Sequence, residues 1–217
     1  RVWDLPTRLF HWSLAASVVA LFITAKVGGN AMTWHLRLGY VVLALLLFRV
    51  VWGVVGGRWS RFASFFYGPG RVLRYLRGQG EAQEHVGHNP LGALSVFALL
   101  GALLAQVLTG LMADDEIAFS GPLTRFVSGD TVAWATSLHT DVGQWLLVAL
   151  VALHLAAIAF YTHIKRHSLV RPMVLGDKQL PASTPASRDD ARTRVLAAVV
   201  LAAAAGVAWW VAQLGVF

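Results

Sequence analysis

Residues 138–157 read LHTDVGQWLLVALVALHLAA, an apolar run long enough for a membrane helix that nevertheless carries two imidazoles, His139 and His154. Ionisable groups inside a bilayer are expensive and default to function. Fifteen residues at ~1.5 Å each set the two roughly 22 Å apart along a helix axis, and fifteen steps of ~100° leave them about 60° apart in rotation. They share a face at opposite depths. His11 and His35 stand near the starts of two earlier apolar runs. Any one of these histidines could be a core residue bonded to a neighbouring helix, but four of them on three apolar runs ask for a common explanation.

The elements that would position them follow from composition. The chain has 217 residues, 57% hydrophobic and 13% charged, outside the usage of water-soluble domains. Apolar runs recur at about residues 8–27, 36–56, 91–112, 138–161 and 195–217, each near the ~20 residues needed to cross hydrocarbon. The expected fold is an all-α integral membrane protein: a four-helix transmembrane bundle over residues 1–175, a polar linker over 176–194, and a fifth transmembrane helix over 195–217. The short alternating segments of a membrane barrel are absent. The first run lacks a good small-residue cleavage pattern, so it reads as a span rather than a signal peptide.

The net charge of +7 is explained by sidedness rather than by nucleic acid. Fourteen of the 18 Lys and Arg residues lie in Arg1–Arg8, Arg58–Arg77 and Lys165–Arg194, on alternate loops. The opposite loops hold Lys26 and Arg125, and Arg37 and Arg49 lie within the second span. By the positive-inside rule the N-terminus is cytoplasmic and the C-terminus lies outside. The outer loop of about 25 residues between the third and fourth spans carries Asp114, Asp115, Glu116 and Asp130.

This topology pairs the histidines. The first span starts inside and the second and fourth start outside, so His11 is level with His154 and His35 with His139. Two cross-helix pairs stacked through a membrane are what bis-imidazole ligation of two haems b requires, with six-coordinate low-spin iron suited to electron transfer. A zinc site would need three or four ligands in one ~2 Å shell, which the separation forbids. With no cysteine in the chain, thiolate-held clusters and covalent c-type haem are excluded as well. Gly39 and Gly143, one turn inward of His35 and His139, and Ala15 and Ala157, beside His11 and His154, leave room for a flat macrocycle.

Other polar residues carry weaker signals. Arg37 could pair with a haem propionate or simply snorkel to the interface, and the same choice applies to Arg49. His88, just ahead of the third span, is an alternative inner ligand, or else a propionate or quinone contact. Gln106 and Thr109 favour interhelix hydrogen bonds. His163 and His167 lie in a basic exit from the fourth span, and His85 in a loop. Local signals set the ends: Pro6 in a first turn, Gly28-Gly29-Asn30 as a stop, Thr33 as a cap for the second span, Asn89-Pro90 opening the third and Gly110 near its close. The segment RFASFFYGPGRVLRYLRGQ could lie at the lipid headgroups or be a solvated loop.

The opening VWDLPTRLFHW, the HNPLGAL of the third span, the two histidines of the fourth and the following HSLVRPMVLG resemble the bacterial cytochrome b561 family, which is related to the b-type cytochrome subunits of nickel–iron hydrogenases. The resemblance covers residues 2 to about 178. It implies an inner-membrane four-helix bundle with two b haems, liganded by His11, His35, His139 and His154, exchanging electrons with ubiquinone or another quinone. The fifth helix departs from the smallest members and resembles a subgroup serving a periplasmic redox partner, commonly a c-type cytochrome. Electron transfer between quinone and such a partner is therefore the main expectation. Alternatives are a superoxide oxidase reducing ubiquinone, against which the acidic outer loop counts, and a cytochrome b anchor of a hydrogenase-like complex. A second copy of the chain is a further allowed partner.

Overall fold

A computed structural model describes residues 1–80, 86–181 and 183–215; His85 lies outside them. The described residues form no β-strand, only an isolated bridge between Asp114 and Ser120. Among the described residues, besides short 3-10 turns, the helices are α1 Leu5–Val27, α2 Ala31–Val55, α3 Pro69–Leu76, α4 Pro90–Met112, α5 Gly129–Ile164, α6 Val170–Leu175 and α7 Ala191–Gln213. Among the described residues α1, α2, α4, α5 and α7 are long and apolar enough to cross a membrane. Their outward faces are apolar too, with Val19, Val54, Leu153 and Val199 each more than half exposed. A helix apolar all round belongs in lipid.

Several ends differ from the sequence expectation. The fourth span begins at Gly129 rather than near residue 138, because Ser128 caps it through the Thr131 amide. The loop between the third and fourth spans thus shrinks to residues 113–128. It is folded on Asp115, whose Oδ1 accepts from the amides of Ile117, Ala118 and Phe119, and these bonds hold its carboxyl below the usual carboxylate range. Helix α2 begins at Ala31, so Thr33 is not its cap. Helix α4 runs past Gly110 to Met112, and its Asn89 cap is present, with Oδ1 accepting from the Gly92 amide at 2.7 Å. Helix α7 starts at Ala191, ahead of residue 195.

The chain divides into two compact units. The first comprises Arg1–Phe10, Arg49–Ala98 and Leu150–Val200. At its centre Asp4 is wholly buried. Its Oδ1 caps α1 through the Thr7 amide (2.8 Å) and accepts from Trp52 Nε1 (3.2 Å), while Oδ2 accepts from Ser60 Oγ (2.7 Å). A buried carboxylate is tolerable only when its lone pairs are so used. Val2, Trp3 and Val86 form an apolar cluster with Trp59, Met173 and Leu180. The amides of Val2 and Trp3 both donate to Gly176 O. Gly176 has φ +88°, and a Cβ there would stand 2.8 Å from Trp3 O, so only glycine fits.

The polar run 176–194 is bonded to the N-terminal residues rather than free. The Ser187 amide donates to Arg1 O, Trp59 Nε1 to Pro185 O, and the Arg1 guanidinium meets Asp177 (3.2 Å) and Asp189 (2.6 Å). Burial opposes ionisation of Asp189, but hydrogen bonds from Arg194 and Arg1 outweigh it and hold the carboxyl below its ordinary range.

The second unit comprises His11–Phe48, Leu99–Ala149 and the residues from Leu201 on. Val42, Leu46 and Leu103 make its core with Leu14, Val18, Leu21 and Leu147, so α1, α2, α4 and α5 all contribute. Ala208 of α7 joins a separate cluster with Leu43, Ala44 and Leu111. Here the fifth helix packs through α2 and α4, beside the four-helix core.

Removing the Asp4 carboxylate orphans an amide, an indole N–H and a hydroxyl. Asp4→Ala is expected to cost about 2–4 kcal/mol, and Gly57→Ala, whose new Cβ would fall on that carboxylate, to destabilise as well. Both should lower the melting temperature of the detergent-purified protein; unchanged melting would contradict a central role for Asp4.

Candidate haem site

His35 and His139 meet in the second unit. Their ring centres are 6.1 Å apart and their planes are at 89°. His35 Nδ1 lies 3.0 Å from Leu21 O and His139 Nδ1 2.8 Å from Gln106 O. A carbonyl can only accept, so each Nδ1 carries the proton and donates, which leaves Nε2 with its lone pair. Metal-ligating imidazoles are oriented by such a bond from the other ring nitrogen.

The backbone is shaped around His139. Residues Leu138–Gly143 form a π turn inside α5, a local widening that recurs at functional sites. The Gln106 side-chain amide donates to His139 O at 2.8 Å, a side chain entering the helical ladder. A Cβ on Gly143 would collide with that same Gln106 side chain. Gly143 therefore makes room for Gln106 rather than for a macrocycle, which corrects the sequence reading. The space beside Gly39 is open, with nothing within 4 Å of a Cβ built there. Gly110 has the role that sequence reasoning missed: a Cβ at that position would stand 2.7 Å from His139 Cε1, so the ring rests on bare helix backbone. The π turn also breaks the regular 100° winding assumed for His139 and His154, a break that no spacing rule reveals.

The remaining candidates are distributed as follows. His11 falls in the second unit and its ring meets Trp12 edge-on at 5.0 Å. His154 falls in the first unit and is half-buried. His88, also in the first unit, is held between Trp3 (4.7 Å) and Phe65 (4.4 Å), and its carbonyl accepts from the Tyr67 hydroxyl. Arg37 is exposed and stacks on Trp34 at 5.0 Å. Arg49 is 3% exposed and stacks on Phe62 at 4.5 Å. Thr109 Oγ1 donates back to Ala105 O. Lys26 Nζ donates to Gln144 Oε1 at 2.9 Å. His163 and His167 are exposed.

Among the described residues no three His, Asp or Glu side chains gather as a metal-ion cage. A pair of imidazoles suits a metal that brings its other ligands with it, as the iron of a porphyrin does. With metal–imidazole bonds of about 2 Å, the two ring centres on such an iron stand about 6 Å apart, which is the separation of His35 and His139.

The family model for prokaryotic cytochrome b561 matches residues 2–176. The chain belongs to that family. It is a multi-pass membrane b-type cytochrome, and its chemistry is electron transfer. Among curated relatives, a probable Ni/Fe-hydrogenase B-type cytochrome subunit of Azotobacter chroococcum is 28% identical, covering 85% of this chain and 90% of its own length. The corresponding subunit of Bradyrhizobium diazoefficiens is 26% identical over 82% and 85%. The probable Ni/Fe-hydrogenase 1 subunit of Escherichia coli K12 is 25% identical over 70% and 79%. No solved structure matches the chain significantly.

In this cytochrome, Gly110→Ala should displace the His139 ring and lower the haem content of the purified protein. Gln106→Leu, which keeps the backbone carbonyl but removes the amide, should retain more haem than Gly110→Ala. Equal and full haem content in both variants would show that the ring does not depend on this packing.

Proposed function

We propose that the chain is a dihaem membrane cytochrome b that takes electrons from a hydrogenase-like redox protein and passes them to the quinone pool. The observation that carries the reading is the His35–His139 pair, each imidazole turned by a carbonyl so that Nε2 is left for iron. Haem b, held there by His35 and His139, would supply one-electron transfer. The protein's part is positioning. The Leu21 and Gln106 carbonyls fix tautomer and ring plane, and the bare backbone at Gly110 and the open space at Gly39 accommodate ring and macrocycle. The apolar core around Val42 and Leu103 keeps water out. The second haem is assigned to His11 and His154 on the sequence register alone.

The hydrogenase-type partner is favoured over a c-type cytochrome because the relatives quoted above are all named as hydrogenase subunits. This revises the main sequence expectation in favour of its alternative. Quinone as acceptor, placement in a bacterial inner membrane with the basic segments cytoplasmic, and a partner on the outer face complete the proposal. The loop 113–128 supports a charged docking face through Asp114 and Glu116, with Asp130 beside it in the first turn of α5.

Pyridine haemochrome analysis of detergent-purified protein should give two haems per chain. His35→Ala and His139→Ala should each lose one, and His11→Ala and His154→Ala the other. Dithionite-reduced protein mixed with a short-chain ubiquinone should reoxidise in stopped flow. A ratio of one, or variants that keep both haems, would overturn the ligand assignment; failure to reoxidise would overturn the quinone assignment.

A further inference from the structure

Arg49 is a cation buried inside a membrane-spanning helix. Only 3% of it is exposed, and its Nη1 has no hydrogen-bond partner among the described residues. One face of the guanidinium lies on the Phe62 ring, 4.5 Å from its centre, and Phe62 can approach because Gly53, one turn along α2, has no side chain. Phe62 in turn packs against Phe65 and Phe97. An aromatic face steadies a guanidinium but does not neutralise it.

Arginine does not escape by losing its proton, and an uncompensated buried charge costs several kcal/mol. The carboxylate that acts on Arg49 through space is Asp4, whose two oxygens are already engaged by Thr7, Trp52 and Ser60. The remaining fork of Arg49 suits an oxyanion. Its position says which. Arg49 lies six residues, or about 9 Å, inside the Val55 end of α2, deeper than a lipid phosphate reaches. Fourteen residues separate it from His35 on α2, and fifteen separate His154 from His139 on α5, so each lies roughly 21–22 Å along its helix from the histidine of the outer pair. Fourteen steps of ~100° also bring Arg49 to within about 40° of the His35 face.

We propose that Arg49 is the cationic anchor for a propionate carboxylate of the porphyrin that His154 ligates. The assignment rests on the dihaem reading. It makes α2 a donor of a haem ligand at one level and of the counter-charge at the other, and it gives the buried Nη1 its acceptor.

The test is haem transfer from oxidised, detergent-purified protein to excess apomyoglobin, followed by absorbance. Two phases are expected, one of them missing in His154→Ala. Arg49→Met should accelerate the His154-dependent phase about ten- to a hundredfold, as loss of one charge-assisted hydrogen bond implies, and leave the other phase unchanged; Arg49→Lys should fall between. Wild-type protein refilled with iron protoporphyrin dimethyl ester, which lacks the carboxylates, should release it in the His154-dependent phase about ten- to a hundredfold faster than it releases haem, a comparison that needs no variant to fold. Unchanged release from Arg49→Met, or equal retention of haem and its diester by the wild type, would overturn the assignment while leaving the dihaem reading intact. A wild type without any His154-dependent phase would overturn both.

Discussion

An imidazole in hydrocarbon has two ring nitrogens and no water to satisfy them. That constraint organises the His35–His139 pair. In each ring Nδ1 is satisfied by a backbone carbonyl from another helix, Leu21 O for His35 and Gln106 O for His139, which leaves Nε2 with its lone pair. The local architecture serves these two bonds. Helix α4 comes close enough to offer Gln106 because Gly110 and Gly143 remove the side chains that would stand in the way, and α5 opens into a π turn where the Gln106 amide enters.

Charge buried away from the pair obeys the same rule by other means. Asp4 is satisfied completely within the protein by an amide, an indole and a hydroxyl, so it reads as structure. Arg49 is met on its face by Phe62, and its Nη1 has no hydrogen-bond partner among the described residues, so its charge is not accounted for by structure alone. The difference between a structural and a functional buried charge lies in this inventory of partners rather than in residue type.

Much of this was legible in the sequence. Apolar runs of membrane length gave the five spans, and one histidine level was recovered as a true juxtaposition, because helical rise and alternating topology depend on little beyond residue count. Gln106 was rightly read as an interhelix bonding group, since polar side chains in lipid must find acceptors, whereas Thr109 found its acceptor in the Ala105 carbonyl of its own helix. What escaped was local. The start of α5 at Gly129 hides in a polar stretch whose only signal is the Ser128 cap. The π turn has no spacing signature, and Gly110 looked like a helix stop when it is a seat for a ring. Asp4 gave no sequence signal because two of its three donors, on Trp52 and Ser60, are distant in sequence. The ties between residues 176–194 and the N-terminus were equally invisible, since composition reports solubility and not partners.

Low-temperature EPR of the oxidised protein tests the central claim most directly. Imidazole planes crossed near 90°, as at His35 and His139, impose a strongly anisotropic low-spin ferric signal, whereas near-parallel planes give an ordinary rhombic one. The predicted spectrum contains a strongly anisotropic component that disappears in His139→Ala. A spectrum without that component, or one in which it survives the substitution, would contradict ligation by this pair.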